Sequence, residues 1–375
     1  MVNLVTSANN FVKLDAFDLT FLKTFSPTPT PTSVVYGDSS GSVVFGGQGI
    51  ASEISPIDAS VVFTAGTFST LTLTNLLSFP IAVQDFTTLN FTAARMNELI
   101  AALTAEAFRE VFFRDADHLI GGDFADVLVG YGGADTLEGG GGDDKLYGGV
   151  ASDTLKGGDG NDIMDGGAGV DSYAGGLGND AYYVRNLGSN GRVEDTFSEL
   201  AGQGIDGVNT SVTLNLNEAR YNNIENGYLS GTAAINLGGS SVNNVLVGNS
   251  AANSIYGLGG RDIMQGGGGA DKFVYLNVSD TGTTAAARDV IQDFTPGSDK
   301  IDLGAIDANG ADAGDGMFSF QAASSAAFTG VAGQLHFLTS GANTIVKGDI
   351  NGDKIADFQI ELTGLKALHV TDFVL

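Results

Sequence analysis

The sequence predicts an all-β protein whose centre is a parallel β-roll, flanked by a β-rich N-terminal module with one helix and by a β-rich C-terminal cap. Two observations support this prediction: glycine accounts for 55 of the 375 residues, and glycine-rich units of nine residues follow one another without a gap. Hydrophobic residues make up 43% of the chain, which is too many for a disordered acidic tail. The glycine content is in turn too high for an ordinary globular domain.

The chain begins with a part that has no repeats. Residues 1–33 are a segment that ends in the Pro/Thr spacer Ser26–Thr32. Residues 34–116 predict a β-rich module, because β-branched and aromatic residues alternate with Gly and Ser. Within it, apolar residues recur at helical spacing over 92–112, which predicts one amphipathic helix. This helix either covers the open end of the repeat array or packs on the preceding strands.

The first repeat block spans 117–184 and holds seven complete units, preceded by a worn one. In each unit the glycine-rich first six residues turn tightly, and the last three form a short strand whose eighth residue, large and apolar, points inward. Two units complete one coil, so residues 18 apart stack on one another. The sixth residue of every complete unit is an aspartate: Asp126, Asp135, Asp144, Asp153, Asp162, Asp171 and Asp180.

The stacked aspartates predict metal sites. Carboxylates in register repel each other unless a cation lies between them. Carboxylates and turn carbonyls are the oxygen ligands that calcium takes, whereas magnesium demands a smaller octahedron and zinc prefers His or Cys. Three stacked pairs along one edge and two along the other predict up to five calcium ions. Phe124 and Ala151 replace a fourth-position glycine, which weakens the prediction for their turns. The turn glycines assigned to the sites are Gly139, Gly140, Gly142, Gly157, Gly158, Gly160, Gly166, Gly167, Gly169, Gly175, Gly176 and Gly178.

A second, degenerate block lies at 239–275. Its sixth positions are Asn244, Asn253, Asp262 and Asp271. Because asparagine supplies an oxygen but no charge, the pairs 244 with 262 and 253 with 271 predict up to two weaker calcium sites. Short β-prone runs over 185–238 predict longer coils of the same solenoid, and the nine-residue period is lost over 276–375, the predicted cap.

Charge and composition limit the partners. The formal net charge is −27, which argues against nucleic acids and anionic membrane surfaces as partners. The absence of cysteine excludes disulfides and thiolate metal sites. No apolar run approaches the roughly 20 residues of a membrane span, and Met1–Asn10 has no Sec-type signal features, so export would need another signal.

The units at 117–183 and 239–274 resemble the RTX family of hemolysin-type calcium-binding repeats. The segment from Arg288 to Leu303 looks like the region that follows the repeats in serralysin-type secreted metalloproteases. The resemblance implies that 276–375 caps the roll and carries an uncleaved type I secretion signal, which the final Asp372–Leu375, an acid followed by apolar residues, fits. It further implies export through an ABC transporter, an extracellular location, and folding on contact with external calcium.

The sequence does not identify a catalytic site. There is no H-E-x-x-H motif, and Gly37–Gly41 matches G-x-S-x-G but precedes a strand-like run, whereas a nucleophile elbow needs a helix there. The segment 349–357 resembles the start of an EF-hand loop but lacks its glycine at position six and glutamate at position twelve, which favours a polar turn.

The functional prediction is a secreted, non-enzymatic calcium-binding protein. Residues 34–116 would attach it to cell-surface polysaccharide or matrix. The alternative is a secreted enzyme, such as one acting on polysaccharide, with its active site in the N-terminal part.

Overall fold

The computed structural model describes residues 116–185, 194–308, 316–321 and 327–375 in full, and before residue 116 it describes the backbone of strands alone. The described residues form a nearly all-β parallel solenoid, as predicted. Two compact units divide the chain: Met1–Gly188 with Glu194–Gly204, and Ser189–Val193 with Ile205–Leu375.

The described N-terminal strands pair mostly with each other. β1 pairs in parallel with the first strand of the roll, β2, β3, β4, β7 and β8 form an antiparallel sheet, and β5 pairs with β6. The G-x-S-x-G stretch runs from the end of β3 to the first residue of β4, so it continues into a strand, as the sequence predicts. The predicted helix 92–112 lies outside the described residues. The strands are β1 Asn3–Val5, β2 Thr28–Thr30, β3 Ser33–Asp38, β4 Gly41–Gly46, β5 Ala51–Ile54, β6 Val61–Ala65, β7 Thr70–Thr74 and β8 Pro80–Ile81.

The roll of the first unit consists of two parallel sheets. β10, β12, β14 and β16 form one, and β9, β11, β13, β15 and β17 form the other. The strands are β9 His118–Ile120, β10 Val127–Gly132, β11 Thr136–Gly141, β12 Lys145–Val150, β13 Thr154–Asp159, β14 Ile163–Ala168, β15 Ser172–Leu177, β16 Ala181–Val184 and β17 Thr196–Phe197.

The pairing register of this roll follows the repeat. Leu128, Leu146 and Met164 lie opposite one another on successive strands, each 18 residues from the last. Their side chains are at most 3% exposed, because every eighth residue points into the narrow space between the sheets. The prediction of two units per coil with an inward eighth residue is therefore confirmed.

The second unit continues the same architecture. β18, β20, β22, β24, β26 and β31 pair in parallel, and so do β19, β21, β23, β25, β27 and β32. β31, β30 and β29 are antiparallel, with β28 parallel to β29 at the edge. Its strands are β18 Gly207–Thr210, β19 Leu214–Asn215, β20 Asn226–Leu229, β21 Asn236–Gly238, β22 Val245–Val247, β23 Ser254–Tyr256, β24 Ile263–Gln265, β25 Lys272–Val274, β26 Asp289–Ile291, β27 Lys300–Asp302, β28 Ser319–Gln321, β29 Gln334–Ser340, β30 Asn343–Asp349, β31 Phe358–Leu362 and β32 Phe373–Val374.

Helical structure in the fully described residues is limited to short 3-10 turns at Ala219–Tyr221, Val278–Asp280 and Val370–Asp372. In that part of the chain, no helix has the length and apolar character required to cross a membrane.

Candidate metal centre

The seven sixth-position aspartates of the first block all lie inside the roll. None of these residues is more than 5% exposed, although aspartate is normally a surface residue. Each one stands directly before a strand, at the point where a glycine-rich turn delivers the chain into the sheet. The turn thus fixes the position of the carboxylate, and the strand pairing fixes its neighbour one coil away.

One carboxylate oxygen of each pair is used in a ladder of hydrogen bonds. The backbone N–H of Asp126 donates to Oδ1 of Asp144 at 2.7 Å, and that of Asp144 donates to Oδ1 of Asp162 at 2.8 Å. The other edge repeats the pattern, with the N–H of Asp135 donating to Oδ1 of Asp153 at 2.8 Å. The structure therefore brings together the residues that the 18-residue spacing predicts.

The second oxygen has no such partner in five of these carboxylates. Oδ2 is buried and accepts no hydrogen bond in Asp135, Asp144, Asp153, Asp162 and Asp171. A buried acceptor without a donor is costly, and more so when it carries negative charge. Five such atoms in one roll require a shared explanation, and a cation supplies one.

The first glycine of each unit forms the wall of a cradle beside that oxygen. A Cβ atom added to Gly139 would clash with Oδ2 of Asp144 and with the carbonyl oxygen of Gly157. The equivalent atom on Gly157 would meet Oδ2 of Asp162 and the carbonyl oxygen of Gly175. Carboxylate and carbonyl oxygens therefore face the same small space, which only the absence of a side chain keeps open.

The remaining predicted glycines shape the turns. Gly140 and Gly158 have positive φ, and a Cβ on either would strike the carbonyl of the residue 18 positions earlier. Gly166 and Gly175 repeat the cradle of Gly139, since each faces Oδ2 of its own aspartate. The others also have positive φ and lie against the preceding coil, two of them inside β14 and β15 and the rest in the turns: Gly167 and Gly176, then Gly142, Gly160, Gly169 and Gly178.

Burial makes the charged form of these carboxylates unfavourable. It raises the pKa of Asp135 and Asp153 to about 7 and that of Asp144 and Asp162 to about 6. The carboxylate one coil earlier raises each pKa further, while the N–H that donates to Oδ1 lowers it. Near neutral pH these groups therefore need a proton or a cation.

The donor set fits a hard divalent cation. The structure assembles carboxylate and carbonyl oxygens, which are the ligands of calcium, and no sulfur or imidazole. Among the fully described residues, no three His, Cys, Asp or Glu side chains form a metal-binding group. A site here would accordingly take backbone carbonyls for the rest of its ligands.

The aspartate ladder extends beyond the nine-residue units. The N–H of Asp171 donates to Oδ1 of Asp195 at 2.9 Å, a separation of 24 residues. In the second unit, the N–H of Asp262 donates to Oδ1 of Asp289, 27 residues on. The N–H of Asp271 donates to Oδ1 of Asp299, 28 residues on.

Counting by 18 misses these three acceptors, although the sequence holds a signal for them. Asp289 and Asp299 each stand two residues before a buried isoleucine, and Asp195 stands two residues before Phe197, whose ring packs on those of Tyr173 and Tyr182.

The asparagines of the second block behave differently from the aspartates. The amide of Asn253 donates to the carbonyl of Ile235 at 2.7 Å, and that of Asn244 donates to the carbonyl of Glu225 at 2.6 Å. Strand pairing places both of those carbonyls at the equivalent position one coil earlier. An amide N–H thus supplies the positive hydrogen that a carboxylate lacks.

Asp262 restores the pattern of the first block. Its Oδ2 is buried without a hydrogen bond, as is Oδ2 of Asp289. Burial raises the pKa of Asp262 to about 8 and that of Asp289 to about 7, and the carboxylate of Asp289 adds to the shift at Asp262. The sequence pairs Asp262 with Asn244 alone, whereas the structure also pairs it with a charged partner.

The EF-hand-like segment forms a closed polar turn. Asp349 is fully buried, with Oδ1 accepting the N–H of Gly352 at 2.7 Å and Oδ2 that of Lys354 at 3.0 Å. Oδ2 of Asp357 accepts the N–H of Ile350 at 2.7 Å. These bonds are internal to the turn, which agrees with the favoured interpretation of 349–357.

The sequence model of the family described as Peptidase M10 serralysin C terminal matches residues 116–375. Among solved structures, the solution structure of the AlgE6R3 subunit from the Azotobacter vinelandii mannuronan C5-epimerase matches at 20% identity, over 70% of this chain and 78% of that chain, with a TM-score of 0.21. A comparison with curated protein sequences gave no match.

Proposed function

Because the chain belongs to the peptidase M10 serralysin C-terminal family, we propose that it is a secreted protein whose β-roll folds around calcium ions. RTX-type β-rolls of this kind generally bind Ca²⁺, and the serralysin-type C-terminal family is secreted. For this chain, the aspartates of the roll would bind the ions, the chain would be exported, and its fold would depend on calcium.

The observation that supports calcium most directly is the row of buried, unpartnered Oδ2 atoms. Asp135, Asp144, Asp153, Asp162 and Asp171 each aim one such oxygen into the roll. Calcium would take these oxygens together with the carbonyls of the first-position glycines, because both face the same cradle. Binding free energy then becomes folding free energy.

The stacked pairs define the number of ions. The first block holds up to five, as the register of its aspartates allows. In the second block we place the ions at Asp262 with Asp289 and at Asp271 with Asp299, because aspartates form both of these pairs. The coils of Asn244 and Asn253 bind none, since each amide already donates to the facing carbonyl.

Calcium dependence fits export of an unfolded chain. Extracellular modules bind calcium with a Kd of roughly 10⁻⁴ to 10⁻³ M, so such a roll would stay empty in a cytoplasm poor in calcium. We assign export to a type I ABC transporter and the signal to the C-terminal residues. In the folded chain β32 pairs with β27, and the buried Asp372 accepts the N–H of Gly297 at 2.7 Å. The signal thus becomes part of the last coil once the chain folds.

The remaining task falls to residues 34–116, for which we propose attachment to cell-surface polysaccharide or matrix. Retention of the protein on cells in calcium, lost on addition of EGTA, would support this role. Turnover of glycans by the purified protein would instead favour a secreted enzyme.

A calcium titration followed by far-UV circular dichroism, with reversal by EGTA, tests the calcium proposal. We expect β-structure to increase with calcium and to decrease with the chelator. Equal spectra in both conditions would contradict it. For export, removal of the residues beyond Thr371 should retain the protein inside cells that hold the transporter, and continued secretion would contradict the signal.

A further inference from the structure

A second candidate site lies in the C-terminal part of the second unit, apart from the aspartate ladders. It is a pocket of about 540 Å³, which is within the range of about 300–1,000 Å³ typical of small-molecule sites. Its lining combines basic, polar and apolar side chains and contains no carboxylate; the lining includes Phe328, His336, Leu338, Lys347, Lys354 and Ile355.

One wall of the pocket is a row of side chains across the antiparallel strands β29, β30 and β31. His336 lies directly opposite Lys347, and Lys347 lies directly opposite Gln359. Opposite residues in such a sheet project their side chains on the same face, with Cβ atoms about 5 Å apart. The ring of Phe328 packs against the imidazole of His336 with centroids 4.2 Å apart, which holds both rings in place.

The opposite wall carries Lys354 in a strained backbone conformation. Its φ is 73°, a region that non-glycine residues seldom occupy, and its N–H is held by Oδ2 of the buried Asp349. The side chain crosses the surface of Gly330, where an added Cβ would lie 2.8 Å from Cε of the lysine. The closed polar turn and this glycine together position the lysine at the pocket.

The two lysines of the pocket lack the carboxylate partner that some basic residues of the chain have. Lys156 lies 2.9 Å from Glu138, and Arg288 lies 2.6 Å from Glu361. Among the fully described residues, no carboxylate lies within 4.0 Å of the ammonium of Lys347 or of Lys354. Within the described part of the chain, neither pocket ammonium is neutralised by a carboxylate, so an anionic ligand would meet no competing acid there.

We infer that this pocket binds a small organic carboxylate with an apolar, ring-sized body. The ammonium groups of Lys347 and Lys354 would take the carboxylate, because a charge-assisted hydrogen bond is the strongest contact that the lining offers. Phe328, Leu338 and Ile355 would pack on the apolar body. Small organic acids and the C-terminal residue of a peptide share this chemistry.

The absence of tryptophan from the chain allows a direct test. N-acetyltryptophan carries a carboxylate beside an indole ring, and N-acetyltryptophanamide is its neutral counterpart. Fluorescence anisotropy of the indole then reports on the probe alone. With calcium-saturated full-length protein, we expect at least tenfold tighter binding of the acid than of the amide. Equal binding of the two probes, or binding of neither, would overturn the inference.

Variants separate the pocket from general attraction to lysine. Lys347→Gln and Lys354→Gln should each reduce affinity for N-acetyltryptophan about tenfold or more, whereas Lys272→Gln, a lysine of the same unit outside the pocket, should leave it unchanged. Ala356→Leu should weaken binding by filling the pocket without changing its charge. Unchanged affinity in both pocket lysine variants, with a circular dichroism spectrum like that of the original protein, would refute the assignment.

A tripeptide that ends in tryptophan distinguishes the sources of the ligand. Binding as tight as that of the free acid would support a peptide terminus, and exclusion of the tripeptide would support a free acid.

Discussion

The buried aspartates lead to a prediction in which one substitution changes stability in a known direction. Asp144→Asn would replace an unpartnered, buried carboxylate oxygen by an amide N–H. The second unit shows what such an amide does, since Asn253 donates at 2.7 Å to the carbonyl one coil earlier. At position 144 the carbonyl oxygen of Gly157 faces the same cradle as Oδ2 and is the candidate acceptor. We therefore expect the variant to be more stable than the original protein when calcium is absent.

The magnitude follows from the shift at Asp144. Burial raises its pKa from 3.8 to about 6, and each unit corresponds to about 1.4 kcal/mol, so keeping the group charged above pH 7 costs roughly 3 kcal/mol. Loss of the calcium ion bound at this position has the opposite effect, because it lowers the stability of the variant when calcium is present. For a Kd of about 10⁻⁴ M, calcium at about 5 mM adds roughly 2 kcal/mol per site to stability, and the variant would forgo that increment.

The assay is urea unfolding followed by circular dichroism, with EGTA or with calcium, together with calcium stoichiometry from titration calorimetry. Asp123→Asn is the matched control, because Asp123 is an exposed carboxylate of the same block. We expect Asp144→Asn to gain stability in EGTA, to gain less than the original protein from calcium, and to bind fewer ions. Equal stability of Asp144→Asn and Asp123→Asn in EGTA, or lower stability of the former, would refute the reasoning.

Three further predictions concern pH, the cradle and the second unit. Without calcium, stability should increase as pH falls from about 8 to 5. The folded-state pKa of Asp135, about 7, lies above the ordinary value of 3.8, so the folded state binds the extra proton and the gain in stability is lost as pH rises through about 7. Urea unfolding in EGTA at several pH values measures this dependence, and a stability that rises with pH would contradict it. Gly139→Ala should weaken calcium binding and destabilise the calcium-loaded protein by about 1–3 kcal/mol, because the methyl group would occupy the cradle; Gly304→Ala, where a methyl meets nothing closer than 3.4 Å, should have little effect, and equal effects at both positions would contradict the cradle. Asp289→Asn should lower the calcium stoichiometry in calorimetry, because it removes the charged partner of Asp262, and an unchanged number of ions would exclude that site.

The register of the first block could be predicted from the sequence because two constraints repeat together. An apolar eighth residue must face the core, and a period of 18 places each one on its equivalent, as Leu137 lies on Leu155. A slip by one residue would expose every one of these side chains. The same constraint places Asp135 one coil from Asp153, so the carboxylate pairs follow from the core residues.

Where a coil contains more than 18 residues, the repeat no longer predicts which strands pair. Met264 pairs with Ile291, 27 residues on, because the insertion that contains the turn Val278–Asp280 lies outside the sheet. A count by 18 therefore misses Asp289, although this residue begins a strand that is in register. The loop adds length without changing the pairing, and only the folded backbone shows how much of the chain it takes up.

What the sequence by itself determined is the repeating part: the β-roll, the inward eighth residues and the stacked aspartates of the first block. Each depends on neighbours at a fixed separation, which a period reveals. The tertiary structure decided which oxygens have no partner, that the amides of Asn244 and Asn253 donate to carbonyls one coil earlier, and that Asp195, Asp289 and Asp299 continue the ladder. It also placed Lys347 and Lys354 on one pocket. Those outcomes depend on contacts across irregular separations, which strand pairing fixes and no period encodes.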